Sequence, residues 1–97
     1  MSQIEFEWDK TKAILNLRKH QVSFDEAKTV FYDANARLIV DPDHSDAEDR
    51  FVLLGRSERL RLLVVCHCYR RNSSVIRLIS ARKANRNEGL EYEEYQS

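Results

Sequence analysis

The apolar residues of this chain change their spacing near residue 36, and this change restricts the folds that the chain can adopt. Before that point the spacing is helical, whereas the later apolar runs are rich in β-branched and aliphatic residues, as strands are. These runs are ARLIVD (36–41), RFVLLGRS (50–57), LRLLVVCHCY (60–69) and VIRLIS (75–80). Turn-like segments separate them, so the second half of the chain predicts an antiparallel meander.

The first third predicts one strand and two helices. IEFEW (4–8) alternates apolar and acidic residues, as a half-buried strand does. Asp9 can cap a helix that runs to about His20, and SFDE (23–26) is a capping box with Ser23 at the start of a second helix. The apolar stripe predicted for the first helix consists of Ile14, Leu15 and Leu17.

A final helix is predicted to start at Asn85, because NRNE repeats the capping-box pattern with Glu88, and to run toward Tyr95. The resulting order is β-α-α-β-β-β-β-α, an α+β fold with a mostly antiparallel sheet and two N-terminal helices on one face. A length of 97 residues favours a single domain over residues 1–97. Since two helices can cover only one face of the sheet, we expect the other face to be available for binding.

Several classes of protein are disfavoured by composition. No apolar window is long enough to span a bilayer, and MSQIEFEWDK does not resemble a signal peptide, so the expectation is a cytoplasmic protein with no membrane contact. Cys66 and Cys68 lie two apart in a strand, which predicts unbridged, buried thiols. Alternation places His67 on the opposite face from both cysteines, so no metal site and no cofactor are predicted.

The charge is strongly segregated along the chain. Residues 1–49 carry a net charge of −5, residues 50–87 one of +9, and residues 88–97 one of −4. Nine of the ten cations in the middle stretch are arginine, whose planar guanidinium suits phosphate oxygens and stacks on bases. The pattern predicts a nucleic-acid-binding surface, and the alternative is a set of solvated strand edges that resist aggregation.

A register can be proposed from the two short turns of the meander. Pairing Arg70 with Val75 sets Cys68 opposite Arg77, Cys66 opposite Ile79 and His67 opposite Leu78, and pairing Ser57 with Leu60 sets His67 opposite Arg50. One predicted face then carries Arg70, Arg77, Phe51, Val64, Cys66 and Cys68. The other carries Arg50, His67, Tyr69, Val65, Leu78 and Ser80. A slip of one residue at either turn would reverse these partners.

Arg77 is the most informative single residue, because a guanidinium within an apolar strand needs a partner or an open functional face. The alternative to a functional role is a salt bridge to a carboxylate such as Glu48 or Asp49. Arg82 lies at the strand end beside the last helix, where it could form part of a phosphate pocket or remain an exposed cation.

The histidines are candidates for proton transfer near neutral pH. His20 ends the first helix beside Lys19, where it could instead stabilise the helix dipole. His67 could be a satisfied core histidine, and His44 a loop residue.

Three stretches carry a specific combination of motifs: F-x-W-D and K-H-x-V-S-F near the start, D-x-x-H-S in the middle and I-S-A-R near the end. They are FEWDKTKAILNLRKHQVSFDEA (6–27), DPDHSDAEDRFVLLG (41–55) and IRLISARKANRNEGLEYEE (76–94). The combination resembles the BrnT family, toxins of bacterial type II toxin–antitoxin pairs, over about residues 4–95. The resemblance implies a RelE-like fold, ribonuclease activity that blocks translation, and a BrnA-type antitoxin with a ribbon-helix-helix DNA-binding domain, through which the pair would bind promoter DNA.

RNA cleavage without a metal requires a base for the 2′-hydroxyl, cations for the phosphate and an acid for the leaving oxygen. The predicted catalytic residues are Arg77, Arg82, His67, His20 and Lys19. The predicted RNA-binding residues are Arg50, Arg70, Lys83 and Arg86. The alternatives are a basic module that binds RNA or a protein without turnover, and a toxin that has lost its activity.

Overall fold

The computed structural model describes residues 4–40 and 50–96. Its strands are β1 (Glu5–Glu7), β2 (Arg37–Val40), β3 (Phe51–Arg56), β4 (Leu62–Arg70) and β5 (Val75–Lys83). Its helices are α1 (Lys10–His20), α2 (Phe24–Ala27), a 3₁₀ helix (Lys28–Tyr32) and α3 (Arg86–Gln96). The predicted α+β class is confirmed. The predicted turn over residues 41–49, with His44, Glu48 and Asp49, lies outside the described residues.

The five strands form one mixed sheet in the order β1-β5-β4-β3-β2. The predicted meander from β2 to β5 is antiparallel throughout. β1 instead pairs with β5 in parallel, with Glu7 opposite Arg77. The helices α1 and α2 carry the chain from β1 to β2 at the opposite edge of the sheet, and the meander then returns to β5 beside β1. The N-terminal strand therefore lies beside the C-terminal strand.

The helix starts are formed by the residues that the sequence indicates. The Asp9 side chain accepts a hydrogen bond from the Lys12 backbone at 3.0 Å, and Ser23 accepts one from the Glu26 backbone at 3.0 Å. Asn85 and Glu88 cap α3 reciprocally, each side chain accepting the other's backbone N–H at 2.8 Å. These local signals are reliable because capping depends on residues within one turn.

The orientation of α1 differs from the prediction. Ile14, Leu15 and Leu17 are all half exposed or more, and the side that faces the sheet carries Ala13 and Asn16 instead. Asn16 binds the free edge of β5: its amide donates to the Ala81 carbonyl at 2.9 Å and accepts from the Ala81 backbone N–H at 3.0 Å. These two bonds continue the edge pairing beyond the end of β1, and they fix the rotation of the helix about its axis.

The main core lies on the helix face of the sheet, the face covered by α1, α2 and the 3₁₀ helix. It joins Val22, Phe24, Ala27 and Val30 to the strand residues Leu53, Leu63, Val65, Ile76, Leu78 and Ala81. The opposite face is only partly free, because α3 packs Tyr92 on Leu54 and Val64 there. We call this opposite face the pocket face, since its uncovered part carries the pocket described below.

The register of the meander corrects two predictions. Phe51, not Arg50, is opposite His67, so Phe51 lies on the helix face and contacts His67 and Tyr69. The pairing of β4 with β5 also shifts between Cys66 and His67, which sets Cys66 opposite Ser80 and leaves Ile79 unpaired. Bulges of this kind depend on packing across the sheet, and a turn-based register cannot anticipate them.

The other predicted pairings of β4 with β5 are confirmed: Arg70 with Val75, Cys68 with Arg77, and His67 with Leu78. None of the described helices is both long enough and apolar enough to cross a membrane.

Candidate functional site

A cationic pocket of about 310 Å³ opens on the pocket face of the sheet. Its lining residues are Lys12, Arg50, Cys68, Arg70, Arg77 and Ile79. Arg50 directly precedes β3, Arg70 is the last residue of β4, Arg77 is the third residue of β5, and Lys12 lies in the first turn of α1. The slip in register that moves Phe51 to the helix face is also what brings Arg50 to the two arginines. Four cations thus surround one opening.

Glu7 joins the two arginines of this pocket. Its carboxylate oxygen Oε2 lies 2.9 Å from Nη1 of Arg77 and 3.7 Å from Nε of Arg70. All three side chains are about one third to one half exposed, so solvent reaches the group. Arg77 therefore has a carboxylate partner, as its salt-bridge interpretation required, but the partner is Glu7 on β1.

The pairing of the strands explains this arrangement. Parallel pairing sets Glu7 directly opposite Arg77, and antiparallel pairing sets Cys68 opposite Arg77 on the other side. Neighbouring residues in adjacent strands point to the same face. Three strands therefore present Glu7, Cys68 and Arg77 side by side, and the small thiol of Cys68 leaves the space that the longer side chains surround.

Arg82 has a different environment from that of Arg77. It forms a two-pronged salt bridge with Glu88 at 2.8 Å for each nitrogen–oxygen pair, and Nη1 also donates to the Lys83 carbonyl at 3.2 Å. The Arg82 guanidinium lowers the pKa of Glu88 below its usual 4.5. Glu88 is also the residue that caps α3, so Arg82 fastens that helix to the sheet. Its side chain remains 43% exposed, and phosphate binding at Arg82 stays a prediction.

The neighbouring cations Lys83 and Arg86 are both exposed, at the end of β5 and the start of α3. They extend the positive surface beyond Arg82 and do not line the pocket. Their predicted contacts with RNA remain untested.

His67 lies in the core rather than at the pocket. It is fully buried on the helix face, 4.8 Å from the Phe31 ring centroid, and its ring nitrogens lie 3.1 Å from the Val65 carbonyl and 3.3 Å from the Tyr69 hydroxyl. Burial lowers the pKa of His67 below 6.5, so the imidazole is neutral at pH 7. The structure favours the core interpretation, because bound RNA would have no access to this ring.

Lys19 and His20 lie in the last turn of α1, and the structure does not bring them into the pocket. Lys19 is seven residues beyond Lys12, which corresponds to about 10 Å along the helix axis. Helical spacing nevertheless places Lys19 on the same side of α1 as Lys12. A long RNA that crosses the pocket in this direction could reach Lys19, so its role remains a prediction.

Sequence reasoning missed Glu7 and Lys12. The signal for Glu7 was its place in an alternating strand, but the partner strand is seventy residues away, and only the parallel pairing identifies it. The signal for Lys12 was its position one turn after a capping residue, which places it near the end of β1. Both depend on how α1 is docked.

Neither cysteine forms a disulfide, as predicted, and Cys68 is buried whereas Cys66 is only partly buried. Within residues 4–40 and 50–96, no three His, Cys, Asp or Glu side chains are grouped as metal ligands would be.

Comparisons with known proteins agree on one family. The model of a family described as "Ribonuclease toxin, BrnT, of type II toxin-antitoxin system" matches residues 8–88. A crystal structure of the ribonuclease toxin BrnT from Brucella abortus is similar to this chain with a TM-score of 0.64 and 23% sequence identity, over 87% of this chain and all of that one. No curated protein matched. At this identity, the structural similarity supports the fold alone.

Proposed function

Because the chain belongs to the BrnT family of ribonuclease toxins of type II toxin–antitoxin systems, we propose that it is a metal-independent endoribonuclease that inhibits translation. The observation that carries the proposal is the cationic pocket with Glu7 at its edge. The pocket combines fixed positive charge for a phosphate with a carboxylate that can accept a proton. We also assign the fold to the RelE-like group.

The arginines of the pocket would hold the scissile phosphate. Arg70 and Arg77 lie diagonally opposite each other on adjacent strands, and Arg50 opens into the same space. Guanidinium groups hold phosphate oxygens with two parallel hydrogen bonds and stabilise the charge that builds on them during attack. Arg77 is the central group because it lines the pocket and makes the closer of the two contacts with Glu7, at 2.9 Å.

Glu7 would act as the base. Its carboxylate takes the proton of the RNA 2′-hydroxyl, and the 2′-oxygen then forms a bond to phosphorus while the bond from phosphorus to the 5′-oxygen breaks. The products are a 2′,3′-cyclic phosphate and a 5′-hydroxyl, which receives its proton from an acid. Lys12 lies in the pocket for this role, and Lys19 and His20 are the further candidates on α1.

The family implies an antitoxin as partner and RNA as substrate. We propose a BrnA-type antitoxin with a ribbon-helix-helix domain that carries the complex to promoter DNA, and a site of action in the cytoplasm. Neutralisation would follow if the antitoxin covers the cationic pocket and removes the charge that attracts RNA.

The test is cleavage of a labelled RNA by purified protein in EDTA, with and without ribosomes. Wild type should cleave in the chelator, and Arg77→Ala should lower the rate about 100-fold, the usual loss for one transition-state contact. The matched control is Arg59→Ala, which removes an exposed arginine from the turn between β3 and β4. Tight binding without cleavage in both conditions would favour the non-catalytic binding module.

Glu7→Gln separates a base from a residue that merely neutralises Arg77. If Glu7 is the base, kcat falls about 100-fold while RNA affinity changes little or rises. If Glu7 only neutralises charge, RNA binds more tightly and kcat is retained, which would reject the proposed role.

A further inference from the structure

Two aliphatic side chains lie next to each other on the outward side of α1. Ile14 and Leu17 are 55% and 50% exposed and are neighbours one turn apart. We call these two residues, together with the cations Lys10 and Arg18 beside them, the α1 outer surface. Scattered apolar residues on a surface are ordinary, but a contiguous group on one helix indicates an interaction site.

The exposure of these residues is imposed by the fold rather than by a loose helix. Asn16 makes three hydrogen bonds of 2.9 to 3.0 Å, two to Ala81 and one to the Val22 carbonyl, and it is 7% exposed. The C-terminal end is closed by Gln21, whose N–H donates to the Leu17 carbonyl at 2.8 Å. A polar residue thus occupies the inward side of α1, and the aliphatic residues remain outside.

The charged residues of α1 itself have one sign. None of residues 10–20 is acidic. Within the part of the chain that the structure describes, Lys10 and Arg18 form no ion pair. The α1 outer surface is therefore complementary to a segment that combines aliphatic residues with carboxylates. A second copy of this chain would oppose cations to cations in a twofold contact, which charge repulsion disfavours.

We propose that the α1 outer surface is the docking site for an acidic amphipathic segment of the antitoxin. This rests on the proposed function, which supplies an antitoxin as the partner. Lys12 belongs to the same helix and lines the cationic pocket. Lys12 lies about 160° around the helix axis from Ile14, so a segment held on the α1 outer surface must pass around α1 to reach the pocket, and docking is separable from the blocking of RNA.

The experiment uses the full-length toxin and its full-length cognate antitoxin, with affinity measured by calorimetry and RNA cleavage measured separately. The double variant Ile14→Ser/Leu17→Ser should bind the antitoxin about 100-fold more weakly, about tenfold for each half-buried aliphatic contact. Its RNA cleavage should remain within twofold of wild type. Leu90→Ser is the matched control, because Leu90 is 52% exposed on a different helix, and it should not change either measurement.

The charge is tested in the same way by Lys10→Glu/Arg18→Glu, which should weaken the complex and remove much of its dependence on salt. Antitoxin affinity unchanged in both double variants would overturn the proposal. If the variants keep their antitoxin affinity but lose a concentration-dependent dimer, or lose binding to phosphatidylglycerol vesicles, the proposal is also overturned. Either result would assign the surface to another occupant. Absence of RNA cleavage by wild type would count against the proposed function only, because calorimetry measures docking independently.

Discussion

Glu26 is the clearest case of a residue with a different partner from the one its motif indicates. Ser23 caps α2 as the capping box predicts, but the Glu26 carboxylate does not return to Ser23. It accepts hydrogen bonds from the Ser57 hydroxyl at 2.7 Å and from Nε and Nη2 of Arg61, the former at 2.9 Å. The salt bridge between Glu26, which is 4% exposed, and Arg61 therefore links α2 to the turn between β3 and β4.

Glu26→Gln should lower the free energy of unfolding at pH 7 by about 2–4 kcal/mol, since it leaves Arg61 without its buried partner. Arg61 holds the pKa of Glu26 below the ordinary 4.5. The wild-type advantage is therefore fully present above pH 4.5 and is lost as the pH falls through the folded pKa. Urea unfolding across this range checks it. Asp25→Asn, at an exposed ion pair, should change stability by about 0.5 kcal/mol or less.

The free energy of unfolding also depends on pH through His67, which is a base, whereas Glu26 is an acid. Its folded pKa lies below 6.5, so the unfolded chain binds a proton there that the folded protein does not. Stability should fall by about 1.4 kcal/mol per pH unit below pH 6.5, until the folded pKa is reached. His67→Gln should remove this slope while His20→Gln keeps it. A slope that survives His67→Gln in urea unfolding would contradict the assignment.

The elements show which parts of a fold a sequence determines locally. The caps at Asp9, Ser23 and Asn85 and the strand runs are predictable, because each depends on residues close in the chain. The bulge beside Ile79 and the rotation of α1 are not, because both depend on distant partners. The same distinction applies to the site, where Arg70 and Arg77 could be grouped from one turn but Glu7 could not.

The fastening of α3 provides a test at the scale of one element. Arg82→Ala and Glu88→Ala both remove the salt bridge that joins β5 to α3, so each should speed hydrogen exchange over residues 86–96. Each should also lower the free energy of unfolding by about 1 kcal/mol, a small value because the salt bridge is partly exposed to solvent. If Arg82 also binds phosphate, Arg82→Ala should lose far more RNA cleavage than Glu88→Ala. Equal losses would limit Arg82 to holding the helix.

The net charge of the whole molecule is zero, but its positive and negative residues lie on different parts of the surface. Lys12, Arg50, Arg70 and Arg77 surround the pocket, whereas exposed acidic residues of α3 lie on the helix that covers the neighbouring part of the same face. Attraction of RNA should therefore be local to the pocket rather than a property of the protein's total charge.

The affinity for single-stranded RNA should fall linearly on logarithmic axes as salt rises, with a slope of about −3, since four pocket cations each contribute about 0.7. Lys12→Ala should reduce the slope by about 0.7, and Arg59→Ala should leave it unchanged. Fluorescence anisotropy with the Glu7→Gln variant avoids cleavage during the titration. A slope near zero would place RNA binding outside this pocket.

The pairing of β1 with β5 has a consequence for synthesis of the protein. Glu7 is translated early, but its partner Arg77 leaves the ribosome only after most of the chain has been made. N-terminal segments emerge first and wait for their non-local contacts. The pocket therefore cannot assemble on a chain that stops before β5 is complete. A truncated toxin lacks the proposed site for cutting RNA, and the ribosome that makes it is exposed to that site only at the end of each round of translation.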